Sequence, residues 1–154
     1  MIVLDKVSVA IGKRTIIGGI GFEAKAGEVT VIVGPNGSGK TTLMKAMSGE
    51  IAYDGSIMLN GQEVSSTAVA KQAAMRAVLP QATTLSFPFT VREIVSLGIL
   101  SGRSGVEPAR HAQLAERALA AVDLHGFAGR LYQELSGGEE QRVQLARVLC
   151  QVWE

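Results

Sequence analysis

Apolar positions change their period along the chain, and the change separates two kinds of structure. Ile2, Leu4, Val7 and Val9 are spaced by polar residues. That is close to the period of two that turns one face of a strand towards a core. Gly12-Lys13-Arg14 reads as a hairpin turn, Ile16 to Ala24 continues as strand, and Ala26-Gly27-Glu28 breaks it. Val29-Thr30-Val31-Ile32-Val33 is a β-branched run that suits a strand buried on both faces. A glycine-rich loop, Gly34 to Gly39, leads into a helix over Thr41 to Ser48, which Gly49 stops. Ser56 to Val64 predicts a hairpin around Asn60-Gly61, a dipeptide that accepts the positive φ of a type I′ turn. Thr67 to Arg76 reads as helix, and Ala77-Val78-Leu79 as a short strand ending at Pro80-Gln81.

Beyond this point the period lengthens to that of helices. Thr90 and Glu93 have capping-box spacing, and Val91, Ile94, Val95 and Ile99 follow at helical intervals. A Gly/Ser-rich link, Ser101 to Gly105, precedes an alanine-rich helix over Pro108 to Val122. Ser136-Gly137-Gly138-Glu139 repeats the capping-box spacing before a last helix to about Cys150. There is no internal repeat and no low-complexity tract.

Composition narrows the class without naming a chemistry. The 154 residues make one domain's worth of chain, and 47 % hydrophobic residues supply a core and argue against disorder. Fifteen basic against fourteen acidic residues leave a net charge of +1, with no sign of a nucleic-acid-binding tail. No apolar run approaches the roughly 20 residues of a membrane-spanning helix. The start, Met1 to Asp5, lacks a signal-peptide pattern. The single cysteine, Cys150, excludes a disulfide framework and a multi-cysteine metal site, and its place on an apolar helix face makes it core. The expectation is a soluble cytosolic α/β domain. The apolar ending at Gln151-Val152-Trp153-Glu154 reads as a cut rather than a natural terminus.

Two stretches carry chemistry. Gly34-Pro35-Asn36-Gly37-Ser38-Gly39-Lys40-Thr41 matches G-x-x-x-x-G-K-[ST] between a predicted strand and a predicted helix. Gly37 and Gly39 permit backbone conformations that let N–H groups converge on phosphate oxygens. The helix start adds its positive dipole end. Lys40 is expected to reach the β- and γ-phosphates and the Thr41 hydroxyl to ligate Mg²⁺, with Thr42 beside them. Far downstream, Leu135-Ser136-Gly137-Gly138-Glu139 opens a helix with a hydroxyl, two glycines and the same dipole. By itself that stretch reads equally well as an ordinary capped helix.

Taken together, the two motifs resemble those of the ATP-binding cassette (ABC) ATPases, over Val3 to Cys150. The resemblance implies a P-loop α/β fold, with a mixed β core, an antiparallel β subdomain and a helical subdomain. It divides 1–154, one incomplete domain, into the β subdomain and phosphate-loop core (1–80), the Q-loop and helical subdomain (81–135) and the signature helix (136–154). Leu79-Pro80-Gln81 falls where the family has its Q-loop, which implies that Gln81 helps hold Mg²⁺ and the attacking water. The family also implies ATP as ligand and a head-to-tail homodimer. In that dimer Ser136, Gly137, Gly138 and Glu139 of one copy face the nucleotide held by the other. Membrane permease subunits, an indirect periplasmic binding protein and a place on the cytoplasmic face of the inner membrane complete the implied setting.

Departures from the family pattern are as informative. Its adenine-stacking aromatic position falls on Ile11, and Tyr53 lies too far along to substitute. The Walker B strand with its Asp-Glu pair and the later switch histidine, expected after the signature, are absent. Asp5 is followed by Lys6 and Asp123 by Leu124, so neither apolar run before them replaces the pair. His111 and His125 precede the signature and read as solvated helix or loop residues. Without the missing strand, Val29 to Val33 lacks a neighbour, and the 154-residue chain is expected to be marginally folded and without useful ATPase activity.

The span from Gln81 to Ser136 is too short for the coiled-coil arms of the DNA-repair relatives. Phe87-Pro88-Phe89-Thr90-Val91 and Arg147-Val148-Leu149-Cys150-Gln151-Val152-Trp153 look most like haemin-import ATPases. Importers of ferric siderophores or vitamin B12 are the alternative, and a soluble cassette protein acting on ribosomes or DNA is the more distant one.

Overall fold

The computed structural model describes residues 1–80, 87–101 and 108–153. They fall into two compact units, Met1–Ala68 and Val69–Glu154.

In the first unit β1 (Ile2–Ile11), β2 (Arg14–Ala24), β3 (Asp54–Leu59) and β4 (Gln62–Glu63) form one antiparallel sheet, ordered β2-β1-β3-β4. The β1 alternation is not strict, because a bulge interrupts it. Lys6 adopts φ 49°, and both ladders of β1 shift register around it. The extra residue lets Leu4 and Val7, three apart, both reach the buried face. Gly55 of β3 makes this possible. It sits at φ 90°, and a Cβ there would lie 2.6 Å from the Asp5 carbonyl oxygen.

The predicted Asn60-Gly61 turn is present, with φ of 49° and 78° at the two residues. Against the sheet lies α1 (Lys40–Met47), burying Leu43 and Ala46. Its C-terminus closes as Gly49, at φ 64°, donates its N–H to Ala46 O while Glu50 N–H reaches Lys45 O. This doubly bonded glycine cap is the stop signal read at that position.

Glu63 ties β3, β4 and the short 3₁₀ turn Val64–Ser66 together. Its carboxylate accepts from Tyr53 Oη (2.7 Å), Ser56 Oγ (2.5 Å), Ile57 N (3.2 Å) and Ser65 Oγ (3.3 Å). Burial alone would raise its pKa. The donors outweigh that, those of Ser56 and Tyr53 first, and hold it at about 2.

Two predicted strands are not formed. Val29–Val33 pairs with no strand among the described residues, and Val29, Val31 and Val33 are 92 %, 71 % and 84 % exposed. Ala77–Leu79 is likewise unpaired. A β-branched run becomes a strand only when a neighbour accepts its backbone hydrogen bonds. The described sheet is accordingly antiparallel throughout, within the α/β class expected.

The second unit is helical: α2 (Val69–Met75), α3 (Val91–Ser101), α4 (Pro108–Ala121) and α5 (Gly137–Val152). Ile94 and Val95 of α3, Leu119 of α4, and Val143 and Ala146 of α5 form its centre, each at most 1 % exposed. The Thr90 cap is as read: Glu93 Oε2 accepts from Thr90 N (2.7 Å) and Oγ1 (2.8 Å). Near its C-terminal end, α5 reaches back to the last turn of α2 and the residues that follow it. Gln151 Nε2 donates to Ala73 O (3.0 Å) and Arg76 O (3.1 Å). Arg147 donates to Val78 O at 3.4 Å. Among the described residues no helix is long and apolar enough to cross a membrane.

Candidate functional site

The phosphate loop takes its shape from two glycines and one lysine. Gly37 (φ 79°) and Gly39 (φ 91°) lie in the left-handed region that side chains resist. Gly39 has a second constraint: a Cβ there would press on Ile17 Cγ2. Ile16 and Ile17, at the start of β2, thereby support the loop. This contact was not legible from spacing, because two adjacent isoleucines merely look like a lapse in strand alternation. Gly34 is also confined, since a Cβ would lie 2.9 Å from Ser38 Oγ.

Lys40 folds back over the loop. Its Nζ donates to Gly34 O (2.7 Å) and Pro35 O (2.8 Å). An ammonium has three donors, so one remains for an oxygen ligand. Gly34, Pro35, Asn36, Gly37, Ser38 and Thr41 are exposed, and Gly39, Lys40 and Thr42 are half-buried. The helix-start N–H groups and the Thr41 hydroxyl thus lie open at the positive end of α1. A polyphosphate with a hard cation fits this donor set: N–H groups and an ammonium for the anion, a hydroxyl oxygen for the metal.

The second motif caps α5. Ser136 occupies the N-cap position, and its Oγ accepts from Glu139 N at 3.4 Å. Glu139 Oε2 accepts from Ser136 N (2.7 Å) and from Ser136 Oγ (2.6 Å). These bonds, the hydroxyl first, keep the Glu139 carboxyl below its ordinary range, and Arg130 and Arg142 add to the effect. Gly137 and Gly138 are exposed, and a Cβ at either would meet nothing within 4 Å. No internal contact therefore requires glycine at these two positions.

Gln81 lies outside the described residues. Ile11, at the end of β1 opposite Arg14, is 64 % exposed. His125 is exposed in a loop, and His111 is half-buried on α4. Cys150 is buried, its Sγ 3.7 Å from Leu114 O, and burial pushes its thiol up to about 11. That thiol is core, as its helix face suggested. Among the described residues no three His, Cys, Asp or Glu side chains gather as a metal site.

Comparison with known proteins now bears on the two motifs. The sequence model of the family described as ABC transporter matches residues 17–152. The hemin import ATP-binding protein HmuV of Mesorhizobium japonicum is 67 % identical over 153 residues, covering 99 % of this chain. HmuV of Rhizobium leguminosarum is 60 % identical over 154 residues, and HmuV of Bartonella henselae 50 %. The chain spans 58 % of the length of each of these relatives. Among solved structures, a bacterial Atm1-family ABC exporter with ATP bound superposes with a TM-score of 0.81 at 26 % identity. That match covers 97 % of this chain and 27 % of the exporter chain. The dimeric structure of MJ0796, a bacterial ABC transporter cassette, gives 0.81 at 25 % identity over 98 % of this chain and 70 % of its own.

Proposed function

The chain belongs to the ABC transporter family, and on that premise we propose that it is the nucleotide-handling part of an ATPase subunit that powers haemin import. The observation that carries the reading is the loop at 34–42, with two left-handed glycines, a lysine with one donor to spare and an open helix start. The 67 % identity to a hemin import ATP-binding protein supports the importer reading.

In this reading the N–H groups of Gly34 and of residues 36–39, in a loop whose turn Pro35 helps set, hold the phosphates of ATP with Ser38, Lys40 and Thr42. Thr41 and Gln81 supply oxygens to Mg²⁺, which offsets phosphate charge when bound. Ser136, Gly137, Gly138 and Glu139 face the nucleotide of a second copy, so the assembly is a head-to-tail dimer on permease subunits. A periplasmic binding protein delivers the cargo, and the ATPase works at the cytoplasmic face of the inner membrane. The two anion-favouring helix starts lie in different units of one chain, which suits a ligand shared between two copies.

The test is ATPase turnover of the chain carried to its relatives' full length, reconstituted with permease and binding protein. Stimulation by haemin-loaded binding protein is expected. Stimulation by a ferric siderophore or vitamin B12 and not by haemin overturns the cargo. Failure of the protein to bind ATP overturns the whole reading.

A further inference from the structure

We propose that Arg14 carries the base of a nucleotide held by the phosphate loop, stacking its guanidinium plane on the ring system with Ile11 as the apolar surface beside it. The proposal rests on the reading above, in which the loop at 34–42 holds the phosphates. The observation that carries it is the register of the β1–β2 hairpin. Val9 pairs with Ile17, Ala10 with Thr15 and Ile11 with Arg14, so Ile16 is an extra residue in β2. Directly paired residues share a face of the sheet, and so do residues two apart on a strand. Ile11 and Arg14 therefore lie on the face of Val9 and Ile17, about 7 Å further along by the rise of a strand. Val9 and Ile17 are buried, and Ile17 abuts Gly39 of the phosphate loop. The extra residue, Ile16, turns the same way: a Cβ at Gly39 would lie 3.5 Å from Ile16 Cγ2. The face thus runs from beneath the phosphate loop out to Ile11 and Arg14.

What changes along that face is exposure. Ile11 is a large apolar side chain left in solvent at the hairpin's tip. Arg14 is exposed, and its guanidinium has no hydrogen-bond or ion-pair partner among the described residues. The turn at Gly12-Lys13, with Gly12 at φ 62°, holds the two side by side. Position 11 is where the resemblance implies a stacking aromatic, and isoleucine has no π face to offer. It can pack on the stem of Arg14 or the edge of a base, but it cannot replace the stack. A guanidinium is planar, delocalised and weakly hydrated, and it lies flat on π systems as an ammonium does not. Arginine planes serve unstacked bases in this way. The neighbouring charge, Lys13, is exposed and has no such plane. The base lies one sugar beyond the phosphates, about the step that separates the two residue pairs. Stacking uses a face that every base has, so Arg14 tightens binding without choosing adenine over guanine.

The experiment uses the chain carried to its relatives' full length, titrated calorimetrically with ATP, GTP and inorganic tripolyphosphate, each with Mg²⁺. Arg14→Ala is expected to weaken ATP and GTP alike by about three- to tenfold and to leave tripolyphosphate within about twofold of wild type. Arg14→Lys keeps the charge and loses the plane, so it should weaken ATP as much as alanine does. Arg14→Trp restores a π face without the charge and should hold ATP within about twofold of wild type. The position is exposed, so each variant is expected to fold as the wild type does. Unchanged ATP affinity in Arg14→Ala overturns the proposal. An equal loss for tripolyphosphate, or full affinity in Arg14→Lys, also overturns it, since either makes Arg14 a charge acting on the phosphates. Wild-type protein that binds neither ATP nor tripolyphosphate would instead overturn the functional reading, and this proposal with it.

Discussion

Gly98 of α3 lies so close to the Arg147 carbonyl of α5 that a Cβ at residue 98 would run into that oxygen and come within 3.2 Å of Cys150 Cβ. Both obstacles are backbone or held close to it. On helix propensity alone, Gly98→Ala should stabilise α3 by about 1 kcal/mol. The contact reverses the sign, because overpacking against groups that cannot swing away costs about 1–3 kcal/mol. The helical unit of Gly98→Ala is expected to unfold at lower urea than wild type. Equal or greater resistance would show that the two helices separate without penalty.

Lys40→Ala removes the ammonium that folds back over the loop at 34–39 and leaves no buried charge behind. Its fold stability should fall by no more than about 1 kcal/mol, because the two carbonyls it releases, Gly34 O and Pro35 O, belong to exposed residues and can turn to water. Nucleotide affinity should fall roughly 10- to 100-fold, the worth of a charge-assisted hydrogen bond at about 1.5–3 kcal/mol. Isothermal titration with ATP checks this, and unchanged affinity would remove Lys40 from the phosphate site.

Glu63 gives the first unit a pH dependence whose direction is fixed. Its pKa falls from an ordinary 4.5 to about 2 on folding, so the folded form prefers the ion. The stabilisation is fully present above about pH 4.5 and is lost as pH falls towards 2. Glu63→Gln should therefore be less stable than wild type at pH 7, with the difference shrinking across that window. Denaturant melts at pH 7, 4 and 2.5 measure it. A difference independent of pH would mean that the network acts through shape alone.

Ser136→Arg places a long cation where a second copy is proposed to close. Loss of the α5 cap costs about 1 kcal/mol, too little to unfold the helical unit. Association in ATP should be abolished and turnover with it, while nucleotide binding by the single chain stays near wild type. Sedimentation and a fluorescent nucleotide report the two separately. Dimers persisting in the variant would place the interface elsewhere.

Most of the helical unit was legible along the chain because its signals are local. Thr90 and Glu93 lie three residues apart, as do Ser136 and Glu139, and a capping box needs nothing more. The phosphate loop was legible for the same reason: left-handed glycines and a following helix are contiguous. Val29–Val33 was misread as a paired strand because its composition records a preference, while pairing depends on a distant neighbour.

The sequence by itself determined the helix starts at Lys40 and Gly137, the family their motifs point to and the spacing of the helical core. Tertiary structure decided what those local signals could not carry. Ile17 supports Gly39, Gly55 fits beneath the bulge at Lys6, and four donors converge on Glu63. Each contact joins residues that the chain's turns bring together, and a one-dimensional pattern holds no distance between them. The same difference separates a glycine kept for its φ, as at Gly37, from one kept for close approach, as at Gly98. The first is a property of one residue, and the second belongs to two helices.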